Sequence, residues 1–250
     1  MGLLHKDVFI CLDCETTGLE TESDRIIEIG IAKFDFEKTH EIYETLVDPE
    51  MSIPAISTEI HHITDDMVQN KPKIQEILQD IFSFVGKHII VGHGIMTDLK
   101  FLAAAAKKHN IACKILSHPH IDTLRLARLY GESPTNSLET LRKHFNIADE
   151  GAHRAMNDVT VNIEVFKYLA RRYKTTEQVM QRLRSPIQLK LMPLGKYKGR
   201  PFSEISIEYL RWASHQDFDQ DLLFSLTTEI KKRKHGSNFS QASNPFADLE

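Results

Sequence analysis

Val8-Phe9-Ile10-Cys11-Leu12-Asp13-Cys14-Glu15-Thr16-Thr17-Gly18 places two acids at the end of an apolar run. Side chains of an extended chain alternate between faces, so Asp13 and Glu15 point the same way. Two carboxylates closing an otherwise buried strand are costly to leave unpaired. They suit hard divalent cations as oxygen ligands. Thr16, Thr17 and Gly18 then read as a turn with hydroxyls and N–H groups beside the acids.

Working outward, the next acid follows His93-Gly94-Ile95-Met96-Thr97. Asp98 stands there at the start of a helix whose apolar stripe is Leu99, Leu102, Ala103 and Ala106. A fourth acid, Asp158, comes five residues after His153 in Ala152-His153-Arg154-Ala155-Met156-Asn157-Asp158. On one helix that spacing would set the two about 140° apart. His153 is therefore expected to precede the helix, with Gly151 allowing the turn, and Asp158 to lie within it. An imidazole titrates near neutrality, which suits a general base.

Four acids and one histidine in this order resemble the DEDDh family of 3′→5′ exonucleases, and within it the proofreading, DNA polymerase III epsilon-like branch. The resemblance covers roughly residues 7–172. It implies a ribonuclease H-like α/β fold and a phosphodiester hydrolase with two divalent ions, Mg²⁺ or Mn²⁺. It implies Asp13, Glu15, Asp98 and Asp158 as metal ligands and His153 as the fifth catalytic residue. Thr16, Thr17, Gly18, His62 and His93 are the substrate-side candidates, His93 also reading as a structural hydrogen bonder. The family usually shows His-Asn-x-x-Phe-Asp before the third acid, where Gly94 and Thr97 stand here. His61-His62-Ile63-Thr64 resembles the family's His-Gly-Ile-Thr loop, with His62 in the glycine position. Asp122 matches an Asp-Thr-Leu that supports the fold.

The chain has 250 residues, 41% hydrophobic, enough for one medium domain and a small appendage. Its formal net charge of −4 makes any nucleic-acid contact local. Three cysteines, Cys11, Cys14 and Cys113, complete neither a zinc site nor an evident disulfide and read as reduced packing residues. Without a signal-like leader or a run of about eighteen apolar residues, a soluble cytoplasmic protein with no membrane association is expected.

Strands are expected over residues 7–13, 26–36, 40–47, 89–91 and 120–123. Helices are expected over residues 72–85, from 97, over 124–129 and 137–144, and over 155–172. Residues 1–174 then form the exonuclease-like domain, 175–189 a connector, 190–235 a small basic and aromatic domain, and 236–250 a disordered tail. The small domain resembles units appended to some exonucleases. Its lead-in, Arg184 to Arg200, holds five basic residues and no acid. Gln188-Leu189-Lys190-Leu191-Met192 resembles a sliding-clamp docking peptide, with Met192 where phenylalanine is usual.

The expected function is removal of nucleotides from a DNA 3′ end, in proofreading or repair. Single-stranded DNA or a 3′ terminus is the expected partner, with a DNA polymerase or sliding clamp as a further candidate. RNA 3′-end trimming or oligonucleotide degradation is the alternative. A non-catalytic nucleic-acid-binding module is the alternative from a different class, though such copies normally lose one of the five residues.

Overall fold

The computed structural model describes residues 3–130, 133, 135–148 and 154–241, with residues 235–241 described by backbone alone. Those residues form two compact units, which divide between Leu183 and Arg184.

The larger unit is built on a five-stranded sheet: β1 (Phe9–Thr16), β2 (Ile26–Phe34), β3 (Thr39–Leu46), β4 (Ile89–Gly92) and β5 (His120–Asp122). Their order is β3-β2-β1-β4-β5. The first three form an antiparallel meander, while β4 and β5 join parallel to β1. Parallel joins need crossovers, and helices supply them. Between β3 and β4 come α1 (Ala55–His61), α2 (Asp65–Val68) and α3 (Ile74–Val85). Then α4 (Met96–Lys108) links β4 to β5, followed by α5 (Thr123–Tyr130), α6 (Leu138–His144), α7 (Ala155–Ala170) and α8 (Thr176–Arg184).

Strand alternation assigns each face. Ile10, Leu12, Ile29 and Ile31 pack with Ile77, Leu78 and Ile81 of α3 and Leu99 and Leu102 of α4. Each such burial contributes about 1.5–3 kcal/mol relative to exposure. The opposite face carries Phe9, Cys11, Asp13 and Glu15, across the ladder from Phe34, Ala32, Gly30 and Glu28. α7 covers it: Phe166 meets Phe9 edge-on at 5.2 Å, and the Cys11 thiol lies 3.6 Å from the Val159 carbonyl. All three cysteines are free.

β1 continues to Thr16, past the end at residue 13 that its apolar run predicts. Pairing with β2 sustains it, up to Glu15 opposite Glu28 and a bulge before Thr16. Pairing with β4 stops earlier, at Cys11 opposite Val91. Beyond that point one side of β1 is left for side chains from the loops and helix ends around it, as at the crevices where α/β sheets bind ligands.

α8 lies in what the sequence suggested as a connector, and it belongs to the larger unit. The Thr176 hydroxyl donates to Asp7 Oδ2 at 2.5 Å, and Val179 and Leu183 are buried. The smaller unit contains α9 (Ile207–Ala213) and α10 (Gln220–Gln241) around Met192, Phe202, Ile205, Leu210, Leu222 and Leu226. Buried Asp221 and Ser225 tie the incoming chain to α10, accepting the Ile187 and Leu189 amides at 2.9 and 2.8 Å. α10 runs to Gln241, into the stretch whose lack of periodicity predicted disorder; residues 242–250 lie outside the described residues. Among the described residues, no helix is long and apolar enough to cross a membrane.

Candidate active site

The ladder register fixes the first two acids. Asp13 and Glu15 share the face of β1 that α7 covers. Asp158 lies in the first turn of α7, where a helix N-terminus favours an anion. The close approach of α7 depends on Gly30, directly opposite Asp13. A Cβ at Gly30 would stand 2.7 Å from the backbone of Ala155 and Met156. Glycine there lets the helix start lie on the sheet, so Asp158 reaches the strand acids. Ligand oxygens of Asp13, Glu15 and Asp158 all lie within 4.8 Å of one another.

Asp98 arrives from the other side. It sits in the first turn of α4, immediately after β4 ends, and its Oδ1 accepts the Cys14 amide at 3.0 Å. Asp98 therefore satisfies a backbone donor of β1 beyond the stretch paired with β4. It stands beside the trio rather than within it. Asp122 supports the same loop, accepting the Gly94 and Leu124 amides at 2.9 Å each.

Crowding the acids raises their pKa values. Burial pushes Glu15 up to about 8, with Asp158, Glu28 and Asp98 adding repulsion. Burial pushes Asp98 up to about 7, against the opposing bond from Cys14. Asp13 is held well above its ordinary range by burial and then by Asp98, Asp158 and Glu15. A cation placed among them would relieve both effects, and an all-oxygen donor set fits a hard divalent ion. The neighbouring thiols are poor competitors: burial holds both Cys11 and Cys14 well above the usual thiol range, hence neutral.

A carboxyl group whose pKa is raised by folding favours the folded state while protonated. That stability is present below the unfolded pKa and is lost as pH rises through the folded one. Metal-free protein is therefore expected to lose thermal stability between about pH 4 and pH 8, with Glu15 and Asp98 setting the upper part of the window. Mg²⁺ or Mn²⁺ should then raise Tm more at pH 8 than at pH 5. Equal increments at the two pH values, measured by scanning calorimetry, would contradict the assignment of these acids as ligands.

Glu28 is a participant that motif reading passed over. It is fully buried and faces Glu15 across the ladder. Arg154 Nε donates to both its oxygens at 3.0 and 3.1 Å, and Arg154 Nη2 donates to Oε1 at 2.5 Å. The Ala155 amide donates to Oε2 at 2.9 Å. Glu28 thus pins the start of the helix that carries Asp158. The signal was available, because a lone acid inside the run Ile26–Phe34 must find a partner. Removing one member of a buried pair commonly costs about 3–5 kcal/mol. The Arg154 side chain is 37% exposed and can recover hydration, so about 2 kcal/mol is expected for Glu28→Ala. Urea unfolding checks this, and Glu28→Gln should retain part of the stability by keeping the Ala155 bond. No change in midpoint for Glu28→Ala would refute the anchoring role.

The threonines of the turn behave differently from expectation. The Thr16 hydroxyl donates to the Gly18 carbonyl at 2.6 Å. Thr17 is 1% exposed and cannot present its side chain to a ligand. Its hydroxyl donates to Asp24 Oδ1 and accepts the Arg25 amide, both at 3.0 Å. The turn uses these hydroxyls to hold its own shape. A Cβ at Gly18 would meet the Asp24 carboxylate at 2.5 Å, and that carboxylate is held by the Thr17 hydroxyl and the Glu20 amide, so glycine suits the position. Ser57 of α1 braces the same turn by donating to the Thr17 carbonyl at 2.7 Å, a contact with no signal in the sequence.

His93 is half-buried, with its ring nitrogens 3.0 Å from Thr123 Oγ1 and 2.9 Å from the Asn136 carbonyl. Burial lowers its pKa to about 4, so the ring is neutral. Those contacts make it a brace between loops. His62 is exposed and caps α1 at φ 60°, in the left-handed region. That conformation explains a glycine preference at this position. His153 lies outside the described residues; the chain re-enters them at Arg154, held by Glu28.

A family model described as Exonuclease, of the RNase T type, matches residues 10–166. The chain belongs to this exonuclease family. A second model, described as a putative quorum-sensing-regulated virulence factor, matches residues 180–235, the smaller unit. The exonuclease is 35% identical over 196 residues to the DNA polymerase III subunit epsilon of Treponema pallidum, covering 76% of this chain and 89% of that one. It is 33% identical over 196 residues to the PolC-type DNA polymerase III of Clostridium perfringens, covering 75% of this chain. It spans only 13% of that relative's length. In fold it is similar to E. coli Exonuclease I in complex with a dT13 oligonucleotide, at TM-score 0.63 and 20% identity. That match covers 71% of this exonuclease and 43% of the other chain.

Proposed function

We propose that this exonuclease removes nucleotides one at a time from the 3′ end of DNA by metal-dependent hydrolysis, in proofreading or repair. The observation that carries the reading is the convergence of Asp13, Glu15 and Asp158 within 4.8 Å on one face of the sheet. Asp98 is fixed beside them by the Cys14 amide. Relatedness to an epsilon subunit supports a proofreading role, with a DNA polymerase as partner.

Two divalent ions, Mg²⁺ or Mn²⁺, would supply an activated water and charge stabilisation at the leaving 3′ oxygen. The chain's own groups supply the rest. Asp13, on the central strand, would hold the ions together with Glu15, Asp158 and Asp98. Glu28 and Gly30 hold the helix that brings Asp158 in. His153, which precedes that helix in the sequence, is assigned the proton from the attacking water. Backbone groups of the turn at Gly18 are assigned to the terminal nucleotide; contacts to sugar and backbone that do not read the base favour action at ends.

In the segment that resembles a clamp-docking peptide, Met192 is 1% exposed in the small unit's core and Leu189 packs against that core, while Leu191 is 46% exposed. The segment is thus better explained as the start of that fold.

The test is hydrolysis of 5′-labelled DNA, RNA and mismatched primer–template strands with Mg²⁺ or Mn²⁺. A ladder shortening from the 3′ end, with DNA preferred, is expected. Preference for RNA would select the trimming alternative. A single internal cut, or retention without cleavage, would refute the proposal.

A further inference from the structure

The smaller unit carries an aromatic and cationic surface that the hydrolytic site does not use. Its geometry begins with a short loop. Leu191 bridges Pro201, the Met192 amide donates to the Arg200 carbonyl at 2.8 Å, and the Gly199 amide donates back to the Met192 carbonyl at 2.8 Å. The loop turns on Gly195 and Gly199, both at positive φ of 70° and 82°. Its tip presents Lys196, Tyr197 and Lys198.

Tyr197 packs edge-on against Tyr209 at 4.7 Å, and Tyr209 lies 5.2 Å from Trp212. Tyr209 and Trp212 come from α9, so helix and loop join in one continuous row of rings. Any side chain at Gly195 would approach the Tyr209 hydroxyl to 3.0 Å, so glycine permits this contact. Trp212, the only tryptophan of the chain, is left 54% exposed at the end of the row. The indole packs on Tyr209 along one part and leaves the rest of a large aromatic surface open to a stacking ligand.

Cations flank the Tyr197 ring, while exposed Glu208 lies beside Tyr209 on α9. Lys196 Nζ lies 5.4 Å and Arg200 Cζ 5.9 Å from the Tyr197 centroid, and Lys198 is exposed between them. Several acids of this unit are engaged internally. Asp221 and Asp219 accept backbone amides, and Glu229 pairs with Arg233. Stackable rings interleaved with cations match a flexible strand of bases and phosphates, in a chain whose overall charge of −4 gives no general affinity for polyanions.

We propose that Tyr197, Tyr209 and Trp212, with Lys196, Lys198 and Arg200, form a single-stranded nucleic-acid binding surface. Bases stack on the exposed indole and phosphates meet the three cations. It gives the exonuclease a second hold on the strand it shortens, and to that extent it rests on the proposed function. Binding itself is measurable without any hydrolysis.

Trp212 is its own reporter. Full-length protein in EDTA is titrated with oligothymidylate of about 16 nucleotides, within the site sizes of single-strand grooves. Binding is followed by tryptophan emission and by anisotropy of a labelled strand. Quenching that saturates with the anisotropy is expected. Trp212→Ala should weaken binding about 5- to 150-fold, the loss of one stacked base, and Trp212→Phe by less. Lys196→Ala with Arg200→Ala should lower the slope of log affinity against log salt by about 1.4, two single-strand phosphate contacts. All these side chains are on the surface, and circular dichroism verifies folding. Cleavage of a trinucleotide with Mg²⁺ should be unaffected by each variant. If wild type fails to cleave it while binding and quenching persist, the hydrolytic reading fails and this one stands. Unchanged emission on strand binding, unchanged affinity in the variants, or quenching by an acidic peptide in place of the strand overturns the proposal. The last result would mark the surface as a protein-docking site.

Discussion

Asp13→Asn is expected to lower turnover by several orders of magnitude while leaving the fold intact. Asparagine matches aspartate in shape, so packing against α7 and the ladder to Gly30 is preserved. What is lost is the charge of an acid that Asp98, Asp158 and Glu15 all act on. Its pKa is raised by burial and by Asp98, Asp158 and Glu15, which means the metal-free protein already resists ionising it. Removing that repulsion should leave Tm of the metal-free variant equal to wild type or higher, while the stabilisation by Mg²⁺ or Mn²⁺ shrinks. Loss of activity with retained or raised metal-free stability separates a ligand from a structural residue. Asp158→Asn should behave alike, since it belongs to the same trio. Activity within about tenfold of wild type, or about 1.4 kcal/mol of barrier, in either variant would remove the trio from the mechanism.

His153→Ala should lower the rate by about 10²–10⁴, the range for a lost general base, with little change in metal affinity. The sign of its pH effect follows from its task. A base acts when unprotonated, so wild-type rate should fall as pH drops through the imidazole pKa. The variant should lose that acidic limb and become flatter there. Titration of Mn²⁺ by calorimetry distinguishes the alternatives. If metal affinity collapses with the histidine, His153 is a ligand. A rate within twofold of wild type would leave the proton transfer to another group.

The chain order of the five catalytic candidates is a property of the sequence. So are the shared face of Asp13 and Glu15, the meander followed by alternating helices and strands, and the helix that holds Asp158. These features are legible because they depend on local periodicities: two residues in a strand, about 3.6 in a helix, and one motif per element. The resemblance to an exonuclease family drew on the same local strings.

Side-chain partnerships between distant elements were not legible. Thr16 and Thr17 looked like substrate contacts, but the turn engages the Thr16 hydroxyl at the Gly18 carbonyl and the Thr17 hydroxyl at Asp24 and Arg25, and a hydroxyl shows no preference for ligand or backbone until the turn is formed. Glu28 read as one polar position in a strand; that it grips Arg154 and Ala155 depends on where α7 lands, 126 and 127 residues away. Gly30 lies inside the strand expected over residues 26–36, and only the backbone of α7, standing where its Cβ would be, explains why it is glycine. Asp98 was identified by its motif, but its bond to Cys14 exists because β4 ends before β1 does. In the smaller unit, composition alone named the basic run and the aromatics. Whether Tyr197, Tyr209 and Trp212 would fill a core or form a surface row was decided by the glycine-hinged loop and α9 meeting in space. Sequence determined which groups were available and on which face of each element. Tertiary structure decided which of them satisfy one another, because burial makes every unpaired polar group costly and only the packed chain supplies the partners.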